Sequence, residues 1–336
     1  MKIALDAMGG DQGPELLIDG ALRALKKNRE LSVILLGPED LLKERVAQCA
    51  EAGGMSQRLL IEHAPETITM EESPVEAIRR KKDSTIMLGF DLVKNGRADA
   101  VVSAGHSGAT MAAAIRKLGR LEGVSRPGIA SLFPTRKAPV MLMDIGANVD
   151  CRSQHLVQFA VMASSCFSLL QNRKNPRIGL LSIGSEPGKG NALIKDTYER
   201  LRQSDLNFVG NVEGRDVYSG ELDVVVCDGF VGNISLKLSE GLAEAAMHML
   251  KDEIMKSVRA KMGYLLIRNA FSAFRKRVDY AEYGGAPLLG INGIGIICHG
   301  SSSSVAICNA IGEAAKLVQH KVNDSIIRSL QQYIAA

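Results

Sequence analysis

A chain of 336 residues with 46% apolar composition can bury a large core, and 41 basic against 37 acidic side chains leave a net charge of only +4. So mild a surplus argues against a general nucleic-acid binder, and the lack of Trp, with 4% aromatic residues in all, argues against a stacking platform for single strands. The six cysteines (49, 151, 166, 227, 298 and 308) form no CxxC and lie mostly in apolar runs, which fits buried thiols in a reducing cytoplasm.

In chain order, a strand pattern over residues 3–7 meets the turn Gly9-Gly10-Asp11, and Pro14 then opens a helix, where its fixed φ suits the first turn. Residues 31–36 lead through Gly37-Pro38 into a charged helix expected to end near Gly53-Gly54, and residues 59–62 form another short strand. A single helix is predicted over residues 77–94, closed by Asn95-Gly96, before the strand that carries Val101. Residues 129–133 and 140–143 read as neighbouring strands joined by Pro134-Thr135-Arg136-Lys137, an antiparallel pair that would make the sheet mixed. A helix follows over residues 156–170, then a brief strand at 207–209 and the polar turn Glu213-Gly214-Arg215-Asp216. No linker rich in Pro, Gly or Ser divides the chain, and no repeat has a fixed period. The alternation therefore predicts one interwoven α/β domain over residues 1–336, with a largely parallel sheet.

Residues 251–277 break that rhythm. Eight basic residues stand there against two acidic ones, a net +6, so the rest of the chain carries −2. Between the charges lie Met255, Val258, Met262, Tyr264, Leu265, Leu266, Ile267, Phe271 and Phe274. This is the composition of a basic amphipathic helix or helical hairpin, with Gly263 as the expected bend. The chain enters its first strand at Lys2 without a signal-peptide pattern, and no apolar run reaches the ~18 residues of a membrane span. The expected setting is cytoplasmic, with at most peripheral attachment to a membrane.

Six apolar runs stop in turns of glycine and small polar residues: IALDAMGGD (3–11), VVSAGHSGA (101–109), LMDIGAN (142–148), LLSIGSEPGKGN (180–191), VVVCDGFVGN (224–233) and IICHGSSSS (296–304). Loops at the carboxyl ends of strands line the ligand crevice of open α/β sheets, and Gly, Ser and Asn there free backbone N–H groups to face an anion. The turn from Gly184 to Asn191 resembles a nucleotide P-loop but is one residue short between its glycines, and no Ser or Thr follows Lys189. Gly9-Gly10-Asp11-Gln12-Gly13 has the wrong spacing for a dinucleotide fingerprint. What survives is a cradle for a phosphate held by itself. His106 and His299 fall in such loops and are candidates for acid/base or phosphate-binding work, whereas His248 sits in a helical pattern. Ser103, Ser107 and Ser301 lack a nucleophile elbow and read as hydrogen-bond donors. No spacing of His, Cys and acidic residues suggests a metal, and no cofactor is expected.

Taken together and in order, DAMGGD, SAGHSGA, DIGANVDC, IGSEPGKGN, EGRD, VVCDGFVGNI, GGAPLLGI and HGSS resemble the bacterial phosphate acyltransferase (PlsX) family of phospholipid synthesis, over nearly the whole span from Asp6 to Ser302. The resemblance implies transfer of an acyl group from acyl-acyl carrier protein to inorganic phosphate, with a membrane acyltransferase consuming the acyl-phosphate. It also implies a homodimer and a three-layer α/β/α fold with a mixed, mostly parallel sheet, like isocitrate and isopropylmalate dehydrogenases. Where the family usually reads SAGNTGA, this chain has His106 and Ser107 in place of Asn and Thr.

On these grounds Lys189, His299 and Asn233 are the expected catalytic residues, with His299 protonating the leaving thiolate and Lys189 holding phosphate or developing charge. Phosphate and acyl contacts are expected from Asp6, Gly9, Gly10, Asp11, Ser103, Gly105, His106, Ser107, Gly108, Gly188, Gly190, Asn191, Asp228 and Gly229, with Asp228 and Asn233 orienting partners. Ser103, His106 and Ser107 are expected to line the same cleft as Lys189. Acidic acyl carrier protein or anionic lipid would meet Arg259, Lys261, Leu265, Leu266, Arg268, Arg275 and Lys276, a segment that would serve equally as a dimer contact. Rival readings are a phosphotransacetylase-like enzyme using acyl-coenzyme A, a decarboxylating dehydrogenase, and a non-catalytic binder of acyl carrier protein or lipid surfaces.

Overall fold

The computed structural model describes residues 1–49, 52–278 and 284–335. Its strands are β1 (Lys2–Asp6), β2 (Ser32–Gly37), β3 (Leu59–His63), β4 (Ala100–Ser103), β5 (Gly128–Phe133), β6 (Val140–Met143), β7 (Ile178–Leu181), β8 (Phe208–Val212), β9 (Val224–Val226), β10 (Ala286–Leu289) and β11 (Gly295–Ile297). They form one sheet in the order β3-β2-β1-β4-β11-β10-β5-β6-β9-β7-β8. The helices are α1 (Pro14–Lys27), α2 (Glu39–Ala47), α3 (Pro74–Arg80), α4 (Thr85–Lys94), α5 (Ser107–Leu118), α6 (Ser153–Gln171), α7 (Ala192–Arg202), α8 (Gly229–Met255), α9 (Val258–Val278), α10 (Ser304–Gln319) and α11 (Val322–Ala335).

The strands are apolar almost without interruption because both faces of the sheet are covered. Ile3, Leu5, Val33, Leu35, Val102, Met141 and Val224 face one buried layer with Leu17, Leu156, Ile307 and Ile326 of α1, α6, α10 and α11. Their alternating neighbours Ala4, Ile34, Leu36, Val101, Leu142 and Val225 face the other, with Phe90 of α4 and Ala109 and Ala113 of α5. The three-layer α/β/α arrangement follows from that period of two.

The sheet contains two parallel blocks. β3, β2, β1, β4 and β11 run one way; β6, β9, β7 and β8 are parallel among themselves. Between the blocks, β10 is antiparallel to both β11 and β5, and β5 is antiparallel to β6. The blocks therefore run in opposite senses. The expected antiparallel pairing of residues 129–133 with 140–143 is the β5–β6 pair.

Three expected helix boundaries are corrected. Residues 77–94 are not one helix: the chain leaves helical geometry after Arg80 and re-enters at Thr85. Lys81 turns away to pair with Glu72 at 2.6 Å and to donate to the Thr67 carbonyl at 2.7 Å, and Ser84 then stands at the N-cap of α4. The charged helix α2 stops at Ala47, short of Gly53-Gly54, and a single 3-10 turn follows at Ala52–Met55. In the basic segment the break falls at Lys256-Ser257, where the Ser257 hydroxyl accepts from the Ala260 N–H, while Gly263 lies inside α9. The first arm of this hairpin also starts much earlier than residue 251, at Gly229.

Candidate active site

The six strand-end loops fall into two neighbourhoods, one for each parallel block. In the first, Asp6 closes β1 and is 1% exposed. Ser103 at the end of β4 donates its hydroxyl to Asp6 Oδ2 at 2.7 Å and accepts from the Gly105 N–H at 3.1 Å. The Met8 N–H donates to Asp6 Oδ1 at 3.2 Å. Burial pushes the Asp6 pKa up, against the lowering effect of these donors. A side chain on Gly9 would lie 2.5 Å from Asp6 Oδ2 and 2.6 Å from the Gly105 nitrogen, so only glycine lets the two loops meet. Asp6 and Ser103 were expected to touch substrate. Both are buried and hydrogen-bonded to one another, an arrangement that shapes the two loops.

Around this contact lie Gly10, Asp11, the 105–108 turn and the loop after β11. The Asp11 N–H donates to the Gly300 carbonyl at 2.9 Å, and a Cβ on Gly300 would lie 2.5 Å from Asp11 Oδ1. This contact brings His299 beside the β1 loop. His106 occupies the N-cap of α5, Ser107 is exposed at its first turn, and Gly108 packs against Pro74 of α3. The N-terminus of α5 thus presents free N–H groups to an anion. The His106 Nδ1 atom is buried without a hydrogen-bond partner among the described residues.

In the second neighbourhood Asp144, next after β6, plays the part that Asp6 plays in the first. Its Oδ1 accepts from the backbone of Ile129, Gly146 and Ala147, and its Oδ2 from the Asn148 N–H at 2.8 Å and side-chain amide at 2.9 Å. Burial raises its pKa against these donors. Gly229 and Gly232 let α8 begin directly on this loop: the Gly229 N–H donates to the Asn148 carbonyl at 2.7 Å, and a Cβ on Gly232 would lie 1.8 Å from the Asp144 carbonyl oxygen. Asn233 is exposed one turn into α8, with its side chain over Gly146. Asp228, expected to orient a partner, accepts from the Val231 N–H at 2.9 Å and caps α8.

Lys189 is exposed in the loop after β7, its stem lying across Gly184 and its N–H donating to the Glu186 carbonyl. Gly188 has open space around it, while Gly190 needs its φ of +98°. Asn191 caps α7 by accepting from the Ile194 N–H at 3.0 Å. Ser182, which no motif singled out, has a buried hydroxyl without a partner among the described residues, in van der Waals reach of Gly190. Asp144 and Asn148 were also missed, although their loop is one of the six. No feature of the sequence distinguishes a strand-end Asp that holds a loop from one that holds a ligand.

Arg259, Lys261, Leu265, Leu266 and Arg268 all lie on the exposed surface of α9, and Leu266 is 87% exposed. Arg275 and Lys276 belong to the same helix, but their side chains lie outside the described residues. Among the described residues no helix is long and apolar enough to cross a membrane.

A family model described as fatty acid synthesis protein matches residues 1–325. The phosphate acyltransferase of Trichlorobacter lovleyi is 50% identical over 336 residues, covering 100% of this chain and 96% of that one. The phosphate acyltransferase of Geotalea uraniireducens is 50% identical over 332 residues, covering 99% and 95%. Among solved structures, a phosphotransacetylase from Streptococcus pyogenes superposes with a TM-score of 0.60 at 20% identity, covering 94% of each chain. A 4-hydroxythreonine-4-phosphate dehydrogenase from Klebsiella pneumoniae gives 0.54 at 14% identity, covering 95% and 99%. At those identities the likeness is one of fold.

Proposed function

This chain belongs to the phosphate acyltransferase family, and on that premise we propose that it moves a fatty acyl group from acyl-acyl carrier protein to inorganic phosphate. The observation that carries the reading is the construction of the loops: backbone N–H groups, helix N-termini and an exposed Lys189 suit an oxyanion and a phosphate. A phosphate oxygen attacks the thioester carbonyl carbon, the C–O bond forms, and the C–S bond breaks with its electron pair leaving on sulfur. Hydrogen phosphate is already anionic and a thiolate of pKa about 8.5 is a tolerable leaving group, so the protein has little proton transfer to perform. Bringing the reactants together can supply roughly 7–11 kcal/mol, and each oxyanion donor about 3–4.

Lys189, with Gly188, Gly190 and the unpartnered Ser182 hydroxyl, holds phosphate or the developing charge. Gly10, Asp11, Gly105, His106, Ser107 and Gly108 line the opposite side, and Asn233 directs its amide to the substrate. His299 serves the departing thiolate. Neighbouring strands turn by roughly 20–25°, which accumulates to about 120–150° over the six steps from β1 to β9. With blocks of opposite sense twisted relative to one another, this reading has the two neighbourhoods supply opposite sides of one site.

The hairpin of α8 and α9 serves a second copy of the chain and a membrane surface on different faces. Ile234, Leu238 and Leu242 form an exposed apolar stripe along α8, with Leu242 72% exposed, which fits a homodimer contact. Arg259, Lys261 and Arg268 have no ion-pair partner among the described residues and flank Leu265 and Leu266. Each cation near an anionic surface is worth about 1 kcal/mol, enough for reversible attachment and for delivery of acyl-phosphate to a membrane acyltransferase. The same cations suit acidic acyl carrier protein. Incubation with long-chain acyl-acyl carrier protein and phosphate, without coenzyme A, is expected to give acyl-phosphate. A strict requirement for coenzyme A would replace this reading with a phosphotransacetylase-like one, and no product from either donor would leave a binding protein.

A further inference from the structure

His299 stands at the turn after β11, and its ring is held by its own loop. The Ser301 N–H donates to His299 Nδ1 at 3.2 Å, and the Ser301 hydroxyl lies 2.7 Å from the same nitrogen. A backbone N–H has no other role than donor, so Nδ1 presents its lone pair, and the proton of the neutral ring sits on Nε2. Nε2 makes no hydrogen bond among the described residues, and His299 is exposed. The loop itself is fixed: Ser302 N–H donates to the His299 carbonyl at 2.9 Å, Cys298 N–H to the Ser103 carbonyl at 2.8 Å, and Gly300 is pinned by Asp11. The ring is thus anchored on one side and offers a single N–H on the other.

We infer that Ser301 is a positioning residue that holds His299 as the Nε2–H tautomer, and that His299 acts as a neutral hydrogen-bond donor to the substrate rather than as a proton donor. The inference rests on the acyl-transfer reading of the site. As phosphate oxygen bonds to the carbonyl carbon and sulfur leaves with the C–S pair, negative charge grows on the carbonyl oxygen and then on sulfur. An N–H aimed there stabilises that charge without giving up its proton, and the thiolate takes a proton from solvent after it departs. Protonated imidazole would place a second N–H at Nδ1 against the Ser301 N–H. The sequence marks His299 as a candidate acid; the loop geometry changes its role.

Two measurements on the whole enzyme decide this. Nitrogen-15 NMR of the histidine-labelled protein is expected to show the Nε2–H tautomer for the signal lost in His299→Ala, and an Nδ1–H tautomer would overturn the inference. Glutamine places an amide N–H near the position of Nε2 and cannot act as an acid at neutral pH. His299→Gln is therefore expected to keep acyl-phosphate formation within about tenfold of wild type, while His299→Ala falls by about 10²–10³. Equal loss in the two variants, both retaining the wild-type melting temperature, would overturn the donor role while leaving the enzyme's activity established. Failure of the wild-type enzyme to make acyl-phosphate would instead remove the reading beneath it, and the tautomer measurement would still stand by itself.

Discussion

Ser103 donates to the buried carboxylate of Asp6 at 2.7 Å, tying the end of β4 to the end of β1 from opposite sides of the Gly9–Gly105 contact. In the second block Asp144 does the same work with four backbone donors and the Asn148 side-chain amide. Each half of the sheet thus has one desolvated Asp that sets the shape of its glycine loops.

Asp144→Ala removes the acceptor for the Ile129, Gly146, Ala147 and Asn148 N–H groups at once. A buried donor left without a partner costs about 1–3 kcal/mol. Water reaches some of the four, so urea unfolding is expected to register a loss of about 3–5 kcal/mol. A loss below about 1 kcal/mol would contradict the scaffold role.

Glycines in the candidate site divide by what surrounds them. Gly232→Ala would push a methyl to 1.8 Å from the Asp144 carbonyl oxygen, whereas Gly188→Ala meets nothing within 4 Å and needs no left-handed backbone. The first is expected to destabilise by more than about 3 kcal/mol and the second by less than about 1. Thermal melts of the two variants check the contrast; equal melting temperatures would refute it.

Glu313 on α10 is buried, with neither carboxylate oxygen partnered among the described residues, and burial pushes its pKa up to about 8 against the lowering effect of Lys316. For an acid raised in the folded state, the native protein keeps a proton that the unfolded chain has lost. Stability from this group is full below the unfolded value near 4.5 and is lost as pH rises toward about 8. Each pH unit in that window costs about 1.4 kcal/mol. Glu313→Gln is expected to match wild type near pH 4.5 and to exceed it increasingly up to pH 8 in denaturant unfolding. A pH-independent difference would show that the side chain finds a partner.

Leu266→Glu places a charge at the most exposed apolar residue of α9 among the described residues. Flotation with vesicles rich in anionic lipid is expected to fall several-fold at unchanged acyltransferase activity in solution. Unchanged flotation would remove the membrane-contact reading and leave the hairpin to dimer packing.

Much of the fold was legible because buried strands and capped helices leave local signatures. Residues 3–7 and Pro14 mark β1 and α1, and the Pro134–Lys137 connection marks the antiparallel β5–β6 pair. The break at Lys81 was not legible, because it depends on Glu72 and the Thr67 carbonyl arriving from an earlier loop. Gly263 misled for the opposite reason: an isolated glycine is tolerated inside α9, while Ser257 supplies the cap that starts the second arm. At the site, the six loops were identified from glycine and small polar residues alone. The division of labour within them was not, since whether an Asp binds a ligand or a loop depends on burial and on which N–H groups reach it. Asp6, Ser103, Asp228 and Asn191 became supports on those grounds, and Ser182 and Asp144 emerged only in three dimensions.

The central claim is that glycine loops from both halves of the sheet hold one phosphate as the attacking reactant. Its most direct test is the phosphate-saturation curve for acyl-phosphate formation by wild type, Lys189→Ala and His106→Ala, one variant from each block. The account predicts that both variants need at least about tenfold more phosphate for half-maximal rate, consistent with loss of a charge-assisted or polar contact worth about 1.4 kcal/mol or more. Near-wild-type rates from both variants at low phosphate would contradict it.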